Sequence, residues 1–375
     1  MSRNSDDPRK QSLQQRQMEQ FRRLLVQLPE ICQDYFIDIE PQTSILTRIN
    51  YAYDLRVFFD YAHKTIEDLA DKSPRDFTVE DLKKITSRDI SYYLEYLNLY
   101  TSQDTDAERM NQNQGKKRKL VAVRAFFRYL HVHGMIENNI TEIVHVPKIA
   151  EKPIVYLDAD EVSELIRIVC NGEFLSAREK KFHQKTQKRD LAIFALLLGT
   201  GIRVSECVGI NRKEVNLRRN SFQVHRKGGK IMELYFGDQV RAALLPYWEE
   251  REQIEAFPGS EDALFLSLQR RRITSRAVEN LVTKYARGLE TLAHITPHKF
   301  RSTFGTALYR STGDIYLVAD VLGHKDVNVT KRHYASIDEK KRRDAADVVS
   351  LGIGEETQPN EAPSPNPPGT QSRQS

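Results

Sequence analysis

Cysteine is scarce in this chain. Its 375 residues hold three, Cys32, Cys170 and Cys207, far apart and odd in number. That leaves no disulfide framework and no zinc-finger spacing. Long apolar runs are missing too. The longest, Leu191 to Leu198, falls well short of the ~20 residues a membrane-spanning helix needs. The opening Met1-Ser-Arg-Asn-Ser-Asp-Asp is polar and has no apolar segment of the kind a secretory signal carries. A cytoplasmic protein is expected. No carboxylate cluster suited to a metal is evident, so neither metal nor cofactor is expected. There is no internal repeat.

What the chain does have is charge. Charged residues make up 29% and hydrophobic ones 39%, enough to bury real cores, and the net charge is +5. The balance is uneven. Residues 351–375 carry Glu355, Glu356 and Glu361 against Arg373, a net of -2, which leaves +7 on the remainder. Basic clusters stand at Lys116 to Lys119, at Lys180-Lys181 through Lys188-Arg189, and at Arg270 to Arg272. Such clusters can neutralise phosphates. The plainer alternative is a solvated charged face.

Apolar spacing divides the chain. Residues 1–17 read as a flexible N-terminus. Helical periodicity then predicts helices over Met18–Tyr35, Ser44–His63, Val79–Ile85, Asp89–Leu99 and Lys117–Gly134, with a loop over Thr101–Gln114. A helical domain over 18–147 follows. Pro147 and Pro153 mark a linker over 148–156. A mixed domain is predicted over 157–350. Its helices are a first one opened by Asp158 and Asp160, then Asp190–Leu198, Val204–Gly209, Thr274–Leu289, Pro297–Ser311, Ile315–Leu322 and Ile337–Val349. Three short strands are predicted over Glu214–Leu217, Ser221–Arg226 and Ile231–Phe236. The Gly228-Gly229 pair suits the hairpin between the last two, because glycine accepts the positive φ of such turns. The proline-rich tail, 351–375, is expected to be disordered. The fold class is therefore mainly α with a small antiparallel β-sheet.

Six residues in the second half carry the chemistry. They are Arg203 in Thr-Gly-Ile-Arg-Val-Ser-Glu, Lys227 in Arg-Lys-Gly-Gly-Lys, His298 and Arg301 in His-Lys-Phe-Arg, His324 in Leu-Gly-His, and Tyr334 in Arg-His-Tyr. Guanidinium groups grip phosphate oxygens bidentately. Tyrosine can serve as a covalent nucleophile, and histidine and lysine can move protons. Each residue alone has an ordinary structural reading; Glu206, for instance, is a natural partner for Arg203. Six together, in fixed order, point to a phosphodiester held for attack by a phenol.

This signature resembles the tyrosine recombinase (phage integrase) family, over roughly residues 18–350. Lys188-Arg-Asp-Leu-Ala-Ile, Val282-Thr-Lys-Tyr and Ile295-Thr-Pro-His-Lys-Phe-Arg are similar to its Xer branch, which resolves chromosome dimers. Ser302 and Ser336 stand where many members carry histidine. The resemblance implies a helical core-binding domain and a catalytic domain that close as a C-shaped clamp on duplex DNA. It implies that Arg203 and Arg301 clamp the scissile phosphate, with Tyr334 as nucleophile forming a 3′-phosphotyrosyl bond. His298 would take the phenol proton, Lys227 would protonate the departing 5′-oxygen, and His324 would hydrogen-bond the phosphate. It further implies a homotetramer on two duplexes, joined through helix 337–349, and no membrane. Candidate DNA contacts are Lys117, Lys119, Arg124 and Arg128 on one helix, and Arg270, Arg271 and Arg272. Integration or excision of a mobile element, a non-catalytic DNA-binding regulator and a topoisomerase-like enzyme are the alternatives.

Overall fold

The computed structural model describes residues 8–101, 108–148, 154–226, 229–289, 295–324 and 326–334. The expected helix 337–349 and the tail 351–375 lie outside the described residues. The chain divides into two compact units, Met1–Lys152 with Ala256–Glu261, and Pro153–Glu255 with Asp262–Ser375.

The first unit is helical. Helices α1 (Pro8–Leu25) and α2 (Ile31–Asp38) replace the single helix expected over Met18–Tyr35. Pro29 explains the break: a proline has no N–H to donate, and its ring clashes with the preceding turn. Helices α3 (Ile45–Thr65), α4 (Val79–Lys83) and α5 (Ser87–Tyr96) follow. Ser44 caps α3 by accepting the Thr47 N–H at 3.2 Å. Thr86 caps α5, and Asp89 returns a bond to the Thr86 backbone, closing a capping box. The stretch expected as a loop forms a short antiparallel ribbon, β1 (Tyr100–Thr101) with β2 (Glu108–Arg109), ahead of α6 (Asn113–Val132). Aromatic rings fill the core. Phe58 meets Tyr93 edge-on at 5.2 Å, and Tyr35 meets Phe126 at 5.4 Å. Such pairs add to the area they bury.

The second unit centres on a long helix. Helix α7 (Ala159–Asn171) opens on a capping box between Asp158 and Glu161. Helix α8 (Ala177–Thr200) starts well before the expected Asp190, because Ser176 and Glu179 form another capping box. After α9 (Val204–Gly209) come β3 (Val215–Asn216), β4 (Ser221–His225) and β5 (Ile231–Tyr235). They pair antiparallel in the order β3-β4-β5. Helix α10 (Asp238–Gln253) was not foreseen; Pro246 sits inside it. Helices α11 (Ser275–Ala286), α12 (Pro297–Thr312), α13 (Ile315–Leu322) and α14 (Val327–Tyr334) complete the described residues. Phe194 of α8 packs on Tyr285 of α11 at 5.5 Å and on Phe300 of α12 at 5.3 Å. Among the described residues no helix is long and apolar enough to cross a membrane.

A buried polar network ties α8 to α11. Tyr285 donates its hydroxyl to Asp190 Oδ2 at 2.9 Å, and His183 Nδ1 lies 2.9 Å from the Tyr285 oxygen. Arg189 and Thr186 also donate to Asp190, and Lys284 stands 3.6 Å from it. Burial holds His183 below the usual imidazole value; nearby Lys284 adds to this, and Asp190 opposes it. The unfolded chain thus takes up this proton at higher pH than the folded one. The stability His183 contributes is full above about pH 6.5 and is lost as pH falls through that value toward the folded pKa. The melting temperature should drop between pH 7.5 and 5.5 more steeply for the parent protein than for His183→Gln. Equal slopes in a calorimetric series would contradict this.

Candidate active site

Three of the six predicted residues, Arg203, Arg301 and His324, meet at the carboxyl end of α13. Gly323 ends the helix at φ +67°, a left-handed conformation that glycine takes without a Cβ penalty. The His324 N–H then bonds back to the Ala319 carbonyl at 2.9 Å. A helix end leaves its last carbonyls without intrahelical donors and carries partial negative charge. Here the Gly323 N–H bonds the Asp320 carbonyl at 2.8 Å, and three arginines from three separate elements add further donors.

Arg226, just past β4, donates to the carbonyls of Asp320 at 3.2 Å and Val321 at 2.7 Å. Arg301 of α12 donates to the Leu322 carbonyl and, through its other terminal nitrogen, to the Gly201 carbonyl at 2.8 Å. Arg203, the residue preceding α9, reaches the Gly323 carbonyl at 3.4 Å. Four consecutive carbonyls thus each receive a guanidinium. Arg203 and Arg301, 98 residues apart in sequence, are brought to one spot.

Their exposures differ. Arg301 is 4% exposed, whereas the Arg203 side chain is 44% exposed. The ion pair between Arg203 and Glu206 is present, at 2.8 Å, and Glu206 also accepts the Arg203 backbone N–H. Glu206 thus holds the Arg203 guanidinium and leaves much of it open to solvent. Burial lowers the pKa of Arg226, Glu206 raises it, and Arg203 lowers it further.

The remaining predicted residues sit as follows. His324 is half-buried, and its Nδ1 is 2.7 Å from the hydroxyl of Thr330 on α14. This bond joins the His324 turn to the helix that ends at Tyr334. His298 is exposed one turn before Arg301, at the N-terminus of α12. The Tyr334 backbone closes α14, and its side chain lies outside the described residues, as does the whole of Lys227. Among the described residues no group of His, Cys, Asp and Glu is placed to hold a metal ion.

The candidate DNA contacts divide. Lys117 and Arg128 on α6, and Arg270 and Arg271, are exposed. Three others hold partners within the fold. Lys119 was expected off the apolar face of α6. It is 5% exposed and pairs at 3.1 Å with Asp54, itself buried. Arg124 is half-buried and donates to the Val144 carbonyl. Arg272 donates to the carbonyls of Val208 and Ile210 at 2.9 and 3.0 Å, closing the end of α9. In each case a distant acceptor, invisible in the local sequence, claims the cation.

A cavity of about 340 Å³ between α3, α6 and the β1–β2 ribbon is lined by Arg56, Arg109, Arg118 and Lys119 and by the carboxylates of Asp54 and Asp60. Arg118 also pairs with Asp54 at 2.7 Å. Arg226 is a further cation at the end of α13, beside Lys227 in the Arg-Lys-Gly-Gly-Lys motif. The only signal for it was its place beside Lys227.

Comparison with known proteins identifies the family. The phage integrase family model matches residues 155–341. The tyrosine recombinase XerS of Streptococcus uberis is 30% identical over 331 residues, covering 82% of this chain and 91% of that protein. The tyrosine recombinase XerC of Caldanaerobacter subterraneus subsp. tengcongensis is 30% identical over 310 residues, covering 80% of each. Among solved structures, the XerH site-specific recombinase bound to difH DNA superposes with a TM-score of 0.61 at 20% identity, over 81% of this chain and 80% of that one. The Tn1549 transposon integrase in complex with circular-intermediate DNA gives 0.61 at 16% identity, over 85% and 99%. At those identities the two structures establish likeness of fold.

Proposed function

From the chain's membership of the tyrosine recombinase (phage integrase) family, we propose that it is a site-specific recombinase that cuts and rejoins double-stranded DNA through a phosphotyrosyl intermediate. The observation that carries this reading is the convergence of Arg203 and Arg301 beside His324. Two guanidiniums at one point can hold the non-bridging oxygens of a phosphodiester and stabilise the extra charge of its pentacoordinate transition state.

In the proposed reaction the Tyr334 oxygen bonds to phosphorus while the bond to the 5′-oxygen breaks. The phenol is protonated near pH 7, so His298 takes its proton as attack proceeds. Lys227 gives a proton to the departing 5′-oxygen, and His324 hydrogen-bonds the phosphate. The phosphotyrosyl link keeps the bond energy. A 5′-hydroxyl from a second duplex can therefore reverse the step without ATP, leaving a Holliday junction after one exchange. The exposed Lys117, Arg128, Arg270 and Arg271, and the Arg56–Arg109–Arg118 cavity, offer further charge to the DNA backbone, where contacts set register rather than sequence.

The role proposed for this chemistry is chromosome-dimer resolution, by a homotetramer joined through residues 337–349. The XerS and XerC relatives, alike over most of their length, favour it over integration of a mobile element. The test is a plasmid carrying two copies of a site that the protein selects from a random duplex pool. Conversion to two circles is expected, at the same rate in excess chelator, because arginine side chains supply the charge. A strict need for added magnesium would overturn this account of the charge. Relaxation of a plasmid lacking the site would show a topoisomerase instead.

A further inference from the structure

Threonine in a helix commonly donates its hydroxyl to the carbonyl one turn back. Thr200, Thr283, Thr303 and Thr312 all do so, at 2.6 to 3.0 Å. Thr330, in the middle of α14, departs from this. Among the described residues its hydroxyl has no such carbonyl partner. It lies instead 2.7 Å from His324 Nδ1, on a side chain that is fully buried. The branched Cβ of threonine restricts χ1, so the hydroxyl is held in that direction.

His324 is fixed at its other end as well. Its N–H bonds to the Ala319 carbonyl at 2.9 Å, and Gly323 before it turns the chain out of α13. The two guanidiniums proposed to hold the phosphate reach the Leu322 and Gly323 carbonyls just ahead of it. Backbone and ring of His324 are thus set by separate bonds, one from α13 and one from α14.

The task of the ring decides the direction of the Thr330 bond. A neutral imidazole carries its hydrogen on one nitrogen and accepts at the other. A phosphate oxygen only accepts, so a histidine that bonds it must present an N–H. A hydroxyl that donates to Nδ1 leaves that hydrogen on Nε2. A hydroxyl that accepted from Nδ1 would leave Nε2 with nothing to give an anion.

We propose that Thr330 is a positioning residue for strand cleavage: its hydroxyl donates to His324 Nδ1 and holds the ring as the tautomer whose Nε2–H serves the phosphate. The inference rests on the reading of His324 as a hydrogen-bond donor to the phosphate. Thr330 touches neither the DNA nor the reacting atoms, and no proton changes hands between it and His324.

A buried threonine also serves the fold, so the test separates the two roles. Single-turnover cleavage by the full chain is measured on a nicked duplex of the selected site, with protein saturating, at about pH 8, above the usual imidazole value. His324→Ala should slow cleavage by about 10²-fold, the scale for losing one donor to transition-state charge. Thr330→Val keeps the shape and loses the hydroxyl. It should slow cleavage by about tenfold, the low end for a partner that orients a functional histidine. Thr330→Ser restores the hydroxyl and should stay near the parent rate. His324→Ala combined with Thr330→Val should match His324→Ala within about twofold, because no ring is left to position. The ring nitrogens of His324, assigned by their loss in His324→Gln, are also read by NMR in the parent protein. Nδ1 should resonate as a bare nitrogen and Nε2 as one that bears hydrogen. This reading needs no Thr330 variant, so it serves if Thr330→Val does not fold.

The outcomes are separable. Thr330→Val at the parent rate, Thr330→Ser as slow as Thr330→Val, a full further loss in the double variant, or hydrogen on Nδ1 overturns the role of Thr330 while His324→Ala stays slow. His324→Ala at the parent rate overturns the reading of His324, and the inference with it.

Discussion

Arg301→Ala reduces strand cleavage by about 10³-fold or more, the scale seen when an arginine that meets transition-state charge in phosphoryl transfer is removed. Arg301 is the more buried of the two phosphate-binding candidates, and its two terminal nitrogens already hold the Gly201 and Leu322 carbonyls. The same substitution therefore leaves two buried carbonyls without donors, each worth about 1–3 kcal/mol of stability. A lower melting temperature accompanies the lost activity. Arg203→Ala separates the two effects. Its side chain is far more exposed and makes a longer bond, to the Gly323 carbonyl. It should lose cleavage by a similar factor with little change in melting. Single-turnover rates set beside calorimetry check both. Full activity in either variant, at saturating protein, would remove that arginine from the phosphate.

Tyr334→Phe abolishes covalent capture while leaving DNA affinity unchanged. Only the phenolic oxygen is lost, so α14 and its link from Thr330 to His324 should persist. Gel mobility of the selected duplex should match the parent protein within error. Denaturing gels should show no protein–DNA adduct. An adduct that persists in this variant moves the nucleophile to another residue.

How much the sequence could tell differs between the site and the fold around it. The order Arg203, Arg301, His324 was readable because each lies in a short local motif. Their meeting point was not, since it depends on the carbonyl end of α13. Nothing in the local sequence marks a helix end as the place where three arginines gather. Arg226 was missed for that reason. Its partners, Asp320 and Val321, stand far along the chain. The same holds for Lys119 and Arg272, which pair with Asp54 and with the carbonyls of Val208 and Ile210. A cation's destination is set by whichever acceptor the fold presents first.

Helix boundaries followed a similar logic. Ile315–Leu322 was predicted as observed, because Asp314 caps one end and Gly323 closes the other. Pro29 breaks the first helix, yet the apolar spacing of Phe21, Leu24, Leu25 and Leu28 carried the prediction past it. Pro246 had the reverse effect. It lies inside α10, whose packing against α8 outweighs the missing hydrogen bond. The polar first half of α8 read as a basic cluster; Ser176, Glu179 and the buried His183–Tyr285–Asp190 network hold it as helix.

The most direct test of the central claim is to locate the covalent bond. The parent protein is trapped on a nicked duplex of its selected site, so that the cleaved fragment diffuses away and religation is blocked. The adduct is digested with trypsin and nuclease, and the modified peptide is sequenced by mass spectrometry. The expected product is the peptide from His333 to Lys340, bearing a 3′-linked nucleotide on Tyr334. A nucleotide on any other side chain, a 5′-linkage, or the absence of an adduct on a duplex the protein binds tightly would contradict the account.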